Sequence, residues 1–208
     1  RAAIGQQGID AITAMGTEAN TVITERVKKY GIECDLTMGY CDLASRSKHM
    51  KSLEEDYKAI TTRDYPHQVT MLDKSELQKQ VIGSENFIGG MVDMGSGHLH
   101  PLNLCAGEAK VAAELGVKIF THSPVIDITP GETINIETNH GQVHAKQVIL
   151  AGNAYIGDLA PKKLPNISNK ILPAGSYIIA TEPLDNEIHS KLLPSNHAVC
   201  DLKIDLDY

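Results

Sequence analysis

The 208-residue chain lacks a basic surplus, a long apolar run and any paired spacing of its cysteines, and each absence excludes a class of protein. Lys and Arg number 19 against 26 Asp and Glu, a net charge of −7. No basic patch stands out, which argues against nucleic acid and anionic membrane surfaces as partners. No apolar run approaches the roughly 18 residues a membrane helix needs. A charged start followed by an apolar stretch, the mark of a signal peptide, is also missing. Cys34, Cys41, Cys105 and Cys200 are scattered without a CxxC pair. They read as reduced thiols of a cytoplasmic protein rather than a disulfide framework. There is no repeat and no low-complexity tract. With 42% apolar and 22% charged residues, the composition is that of a folded globular chain. The length suits one large domain or two small ones. Arg1 opens the chain without a Met and Tyr208 closes it inside an apolar alternation, so both ends read as interior to a longer protein.

What is present alternates helix and strand. Ile9, Ile12, Met15, Ala19, Val22, Ile23, Val27 and Tyr30 recur at helical spacing, with Gly31 as the stop. A strand follows over 34–44, then a helix over 47–61 opened by a Ser47 cap. A strand at 69–72 leads to a helix opened by Asp73-Lys74-Ser75-Glu76, and an apolar strand over 87–94 carries a bulge at Gly89-Gly90. The rhythm then changes. Pro101 starts a helix that Gly116 ends, 117–120 and 124–128 read as extended, and Asn139-His140-Gly141 turns a hairpin. Val148-Ile149-Leu150 has no polar face, as a buried parallel strand should not. Beyond a connector with Pro161, Pro165 and Pro173, 176–181 and 198–208 read as antiparallel neighbours in a second sheet. The expected class is α/β, in a mixed α+β arrangement.

Chemistry is sparse. His98 and His100, at i and i+2 on an extended elbow, point to one side, yet a third ligand at sensible spacing is missing. No metal site is expected, and the imidazoles read better as a cavity wall. The glycines at 89–90 and 95–97 do not form a GxGxxG between strand and helix. No serine sits in a nucleophile elbow. The carboxylates, Asp93, Asp127 and Asp158 among them, form no defensible catalytic pair.

Taken together and in order, several stretches carry a resemblance. The run 90–104 (GMVDMGSGHLHPLNL), with 31–36 (GIECDL), 141–146 (GQVHAK), 148–155 (VILAGNAY) and 177–184 (YIIATEPL), resembles FAD-dependent amine oxidases of the glycine oxidase and D-amino-acid oxidase superfamily. The similarity is closest to the gamma-glutamylputrescine oxidase branch. It implies a discontinuous FAD domain with a substrate domain inserted through it. The chain would be a central fragment: a helix on the FAD-domain side over 1–30, substrate-domain parts over 31–94 and 166–208, and an FAD-domain part over 95–165. An amine would lose hydride to the flavin, the imine would hydrolyse, and oxygen would be reduced to hydrogen peroxide. Val125 matches the position whose backbone faces the adenine. Ala151 and Gly152 match a small pair that lets the cofactor approach closely. Tyr208, with His98 and His100, falls on the substrate-pocket side. The glycine-rich phosphate turn, the acidic ribose ligand and the carboxy-terminal flavin strand of such enzymes do not occur in the chain. The same scaffold also serves glycine, sarcosine and proline oxidases, and could serve a non-catalytic binding domain.

Because the spacing offers no framework, thiol titration of denatured, non-reduced protein should count four free groups. Two or none would overturn the compartment reading.

Overall fold

Alternation along short strands decides where the first core forms. The computed structural model describes residues 4–156 and 170–203. These fall into two compact units, 4–117 with 182–203, and 118–156 with 170–181. In the first unit, β1 (Thr37–Ala44), β2 (Val69–Asp73) and β3 (Gly89–His98) form a sheet in which β3 lies between the other two, antiparallel to both. Cys41, Leu43, Leu72 and Val92 point to one face and pack on Leu77 and Val81, at α3 (Lys74–Gln80) and its carboxy-terminal cap. Ala44 and Met91 point to the other and pack on Leu53 of α2 (Ser47–Thr61), with Met71 and Tyr57 beside them. The strict period of two puts a helix on each face.

Helix boundaries follow local chemistry. At α3, Asp73 accepts from the Glu76 backbone N–H and Glu76 accepts from that of Asp73, a complete capping box. At α2 the cap position belongs to Arg46, which makes no side-chain cap bond, so the expected Ser47 cap is instead the first helical residue. The first helix, α1 (Gly5–Tyr30), ends as expected at Gly31 in the left-handed region, φ 60°. It has no buried residue. Two polar ties hold it: Asn20 donates to the Gly95 carbonyl at 2.8 Å, and Arg26 pairs with Glu108 of α4 (Pro101–Glu114) at 2.6 Å.

Several expectations need correction. The bulge in β3 lies between Asp93 and Gly97, where the register with β1 shifts, and pairing at Gly89-Gly90 is regular. The strand β7 (Ala198–Asp201) does not pair with 176–181; it joins the free edge of β1 in parallel, so the sheet is mixed. Residues 117–120, 148–150 and 176–181 are not strands. Among the described residues none has a paired neighbour, and Ile149 (90% exposed) and Tyr177 (98%) face solvent. An apolar alternation becomes a strand only when another strand takes its N–H and C=O groups. The change of rhythm at 94–95 coincides with this bulge in one continuous strand, and the division into compact units falls after Val117. Pro161, Pro165 and the end of the 198–208 segment lie outside the described residues, as does Tyr208.

The second unit holds a three-stranded antiparallel meander, β4 (Val125–Thr129), β5 (Ile134–Thr138) and β6 (Gly141–Ala145), with the expected hairpin turn between β5 and β6. A short helix α5 (Asn186–Leu192), capped by Asp185, precedes β7 in the first unit.

Leu77 is fully buried between α3 and the sheet, whereas Met15 on α1 is 68% exposed. Leu77→Ala should cost about 3 kcal/mol in urea unfolding, and Met15→Ala under about 0.5. Equal losses would contradict this placement of the core.

Candidate functional site

The elbow after β3 owes its shape to a carboxylate. Asp93 accepts from the Tyr65 hydroxyl (2.9 Å to each oxygen), the Gly95 N–H (2.8 Å) and the Ser96 hydroxyl (3.3 Å). The Asp-Met-Gly-Ser order is a local side-chain turn that folds the bulge onto itself. Gly95 is required there, because a Cβ would strike the Tyr65 hydroxyl and the His67 ring. The two rings meet edge to face at 5.4 Å. Burial, together with the Asp93 carboxylate that receives its hydrogen, pushes the Tyr65 phenol up to about 12.

The two histidines that follow part company. His98 Nε2–H donates to the Asn196 carbonyl at 2.7 Å. His100 is the cap of α4: its Nδ1 accepts from the Asn103 N–H at 3.3 Å, and Pro101 takes the first helical position. Each ring is committed to a different backbone group. Among the described residues no group of three His, Cys, Asp or Glu side chains is placed to hold a metal ion.

In the second unit, Val125, Ala151 and Gly152 come together. They line one cavity of about 350 Å³, otherwise walled by Ile128, Ile136, Val148, Ile149, Leu150 and Ile156. β4 is an edge strand, and a register shift between Val125 and Asp127 makes Ile126 a bulge. Such a bulge turns the strand start away from its ladder. The backbone of an edge strand is open on one side to a planar heterocycle. Gly152 has φ −85°, a conformation open to any residue, so the backbone does not require glycine there. The lining fits the flat, apolar-faced part of a dinucleotide and holds no Lys or Arg for phosphates.

A model of the FAD-dependent oxidoreductase (DAO) family matches residues 3–207. The chain belongs to that family. It is 40% identical over 207 residues to a probable oxidoreductase OrdL of Haemophilus influenzae, covering 99% of this chain and 48% of the relative. With the gamma-glutamylputrescine oxidoreductase of Escherichia coli it shares 35% over 204 residues, covering 97% and 47%. The chain thus spans about half the length of these curated relatives. Its fold is similar to that of glycine oxidase from Geobacillus kaustophilus, with a TM-score of 0.58 at 24% identity over 70% of this chain and 40% of that one. Among the described residues no helix is long and apolar enough to cross a membrane.

Sequence reasoning missed Asp93 as an organiser, although Asp-x-Gly-Ser was legible as a turn. It had no means of finding Tyr65, which lies 28 residues away and carries no motif.

The folded Tyr65 phenol holds its proton more tightly than the unfolded one. Its contribution is therefore complete below about pH 10 and is lost as the pH rises through about 12. Between pH 9 and 11 the stability of the native protein should fall more steeply than that of Tyr65→Phe, measured by urea unfolding. Parallel curves would refute the bond to Asp93.

Proposed function

We infer that this chain is the middle portion of an FAD-dependent amine oxidase acting on a gamma-glutamylputrescine-like amine, with oxygen reduced to hydrogen peroxide. The observation that carries the reading is the cavity that joins Val125 to Ala151 and Gly152 across two separate stretches of sequence. The name of the Escherichia coli relative supports the substrate class. FAD, when bound, would supply an acceptor for the two electrons of the amine-bearing carbon that oxygen can reoxidise. The chain's own residues supply position and exclusion. In this reading the edge backbone at Val125 receives the adenine, and Ala151 and Gly152 leave room beside it. In this reading residues 95–165 belong to the FAD domain, and 31–94 with 166–208 belong to the substrate domain. The resemblance assigns Tyr208, outside the described residues, to the substrate pocket together with His98 and His100, whose rings bond to the backbone of Asn196 and Asn103.

The apolar lining holds no anchor for the pyrophosphate. In dinucleotide folds that anchor is a glycine-rich turn at a helix amino terminus. Its absence from the chain should weaken FAD affinity by several kcal/mol, on the order of a thousandfold or more. The 208-residue chain incubated with excess FAD and desalted should therefore be colourless at 450 nm. A protein extending the chain to the length of its relatives should be yellow and release peroxide faster with gamma-glutamylputrescine than with glycine, sarcosine or proline. The reverse order would assign an amino acid oxidase, and a colourless, inactive long protein would favour a non-catalytic scaffold. Gly152→Leu in the long protein should lower flavin retention more than about tenfold.

A further inference from the structure

We propose that the imidazoles of His98 and His197 form a proton-sensitive latch, which holds β7 against β1 while His197 is neutral and loosens it once His197 takes up a proton. The strand it governs is short. β7 has four residues, lies at the sheet edge and is the one parallel strand among the described residues of its sheet. Its register, Tyr40 opposite Ala198 through Leu43 opposite Asp201, must be set by what precedes it.

Two ties do this. Upstream, the Gly83 N–H donates to the Leu192 carbonyl at 3.0 Å. Next to the strand, His98 at the end of β3 donates to the Asn196 carbonyl, and Asn196 turns the chain in the left-handed region at φ 53°. The following side chain, His197, lies against Gly39 of β1, so closely that a Cβ at Gly39 would enter its ring. Gly39 takes φ +116°, opposite the β3 bulge. The absent side chain is what admits the imidazole.

His197 Nδ1 is buried and has no hydrogen-bond partner among the described residues. A neutral ring tolerates this, because one nitrogen carries only a lone pair. A protonated ring must present N–H at both nitrogens, and the buried one then lacks an acceptor. From β1 the residue against the ring is Gly39, which carries no charge. β3 contributes His98, and the approach to β7 contributes the neutral Ser195 and Asn196. Asp201, further along β7, is paired with Lys203 at 2.7 Å. Burial first, and the facing His98 second, hold the His197 imidazole below its ordinary value. His98 can keep its donor bond whether neutral or charged, so acid acts through His197.

The sign follows from linkage. Released β7 binds a proton at His197 more readily than docked β7, so docking weakens as the pH falls below about 6.5. One group can supply at most about tenfold per pH unit. The inference does not depend on the flavin reading.

Hydrogen exchange in the full chain, followed by mass spectrometry and normalised to an unstructured peptide at each pH, tests it. Between pH 7.5 and 5.5, protection of the β7 amides should fall severalfold, while that of the β1–β3 ladder stays constant. In His197→Gln the fall should disappear. Should His197→Gln leave β7 unprotected at both pH values, the nuclear magnetic resonance titration of His197 in the native chain decides. A midpoint below about 6.5 supports the latch, and a midpoint at or above it overturns the proposal. Unchanged β7 protection in the native chain, or the same fall in the variant, also overturns it.

Discussion

Where β1 runs beside β3, Leu43 and Ala44 face Gly90 and Gly89, and the missing side chains let helices close on both faces of the sheet. A Cβ at Gly89 would lie 2.7 Å from Met50 Sδ and 2.8 Å from the Leu72 carbonyl. One at Gly90 would lie 2.8 Å from the Asp42 carbonyl and 2.9 Å from Cys41 Sγ. Nothing of that size fits without displacing a neighbouring strand. The consequence reaches each element of the core. α2 brings Leu53 to one face, α3 brings Leu77 to the other, and β2 pairs outside β3. Burial in this layer pushes the Cys41 thiol up to about 12, so it remains an inert apolar group.

The same strand changes character within four residues. Up to Val92 it is a ladder between two neighbours. At Asp93 a single carboxylate gathers three donors, and the bulge this creates sends the chain toward His98 and the α4 cap. Burial, and beyond it the nearby charges of Asp56 and Asp93, raise the Asp42 carboxyl above its ordinary value. The elbow is thus a short polar device set between an apolar core and a capped helix. It explains why the motif around 90–104 mixes glycine, aspartate and histidine so densely.

In the second unit the relation between sequence and site is different. Val125 and the pair Ala151-Gly152 share a cavity whose walls are aliphatic, and no single local motif announces it. The match to FAD-dependent oxidoreductases and the cavity are separate observations, one from whole-chain similarity and one from geometry.

Local chemistry by itself determined the helices and their stops. Gly31 and Gly116 end α1 and α4, Asp73 with Glu76 caps α3, and Pro101 starts α4, because each acts on backbone groups a few residues away. The alternation of β1, β2 and β3 was legible for the same reason, since a period of two names the buried faces before the partners are known. Val125 and the small pair were singled out through resemblance alone. Only the tertiary structure decided which apolar runs became strands. Residues 148–150 and 176–181 alternate or bury on paper as well as β7 does, yet among the described residues only β7 of these meets a neighbour that takes its hydrogen bonds. It likewise decided the partners of His98 and Tyr65. Those choices depend on segments 28 to 98 residues apart being brought within hydrogen-bond distance, which no short-range pattern encodes.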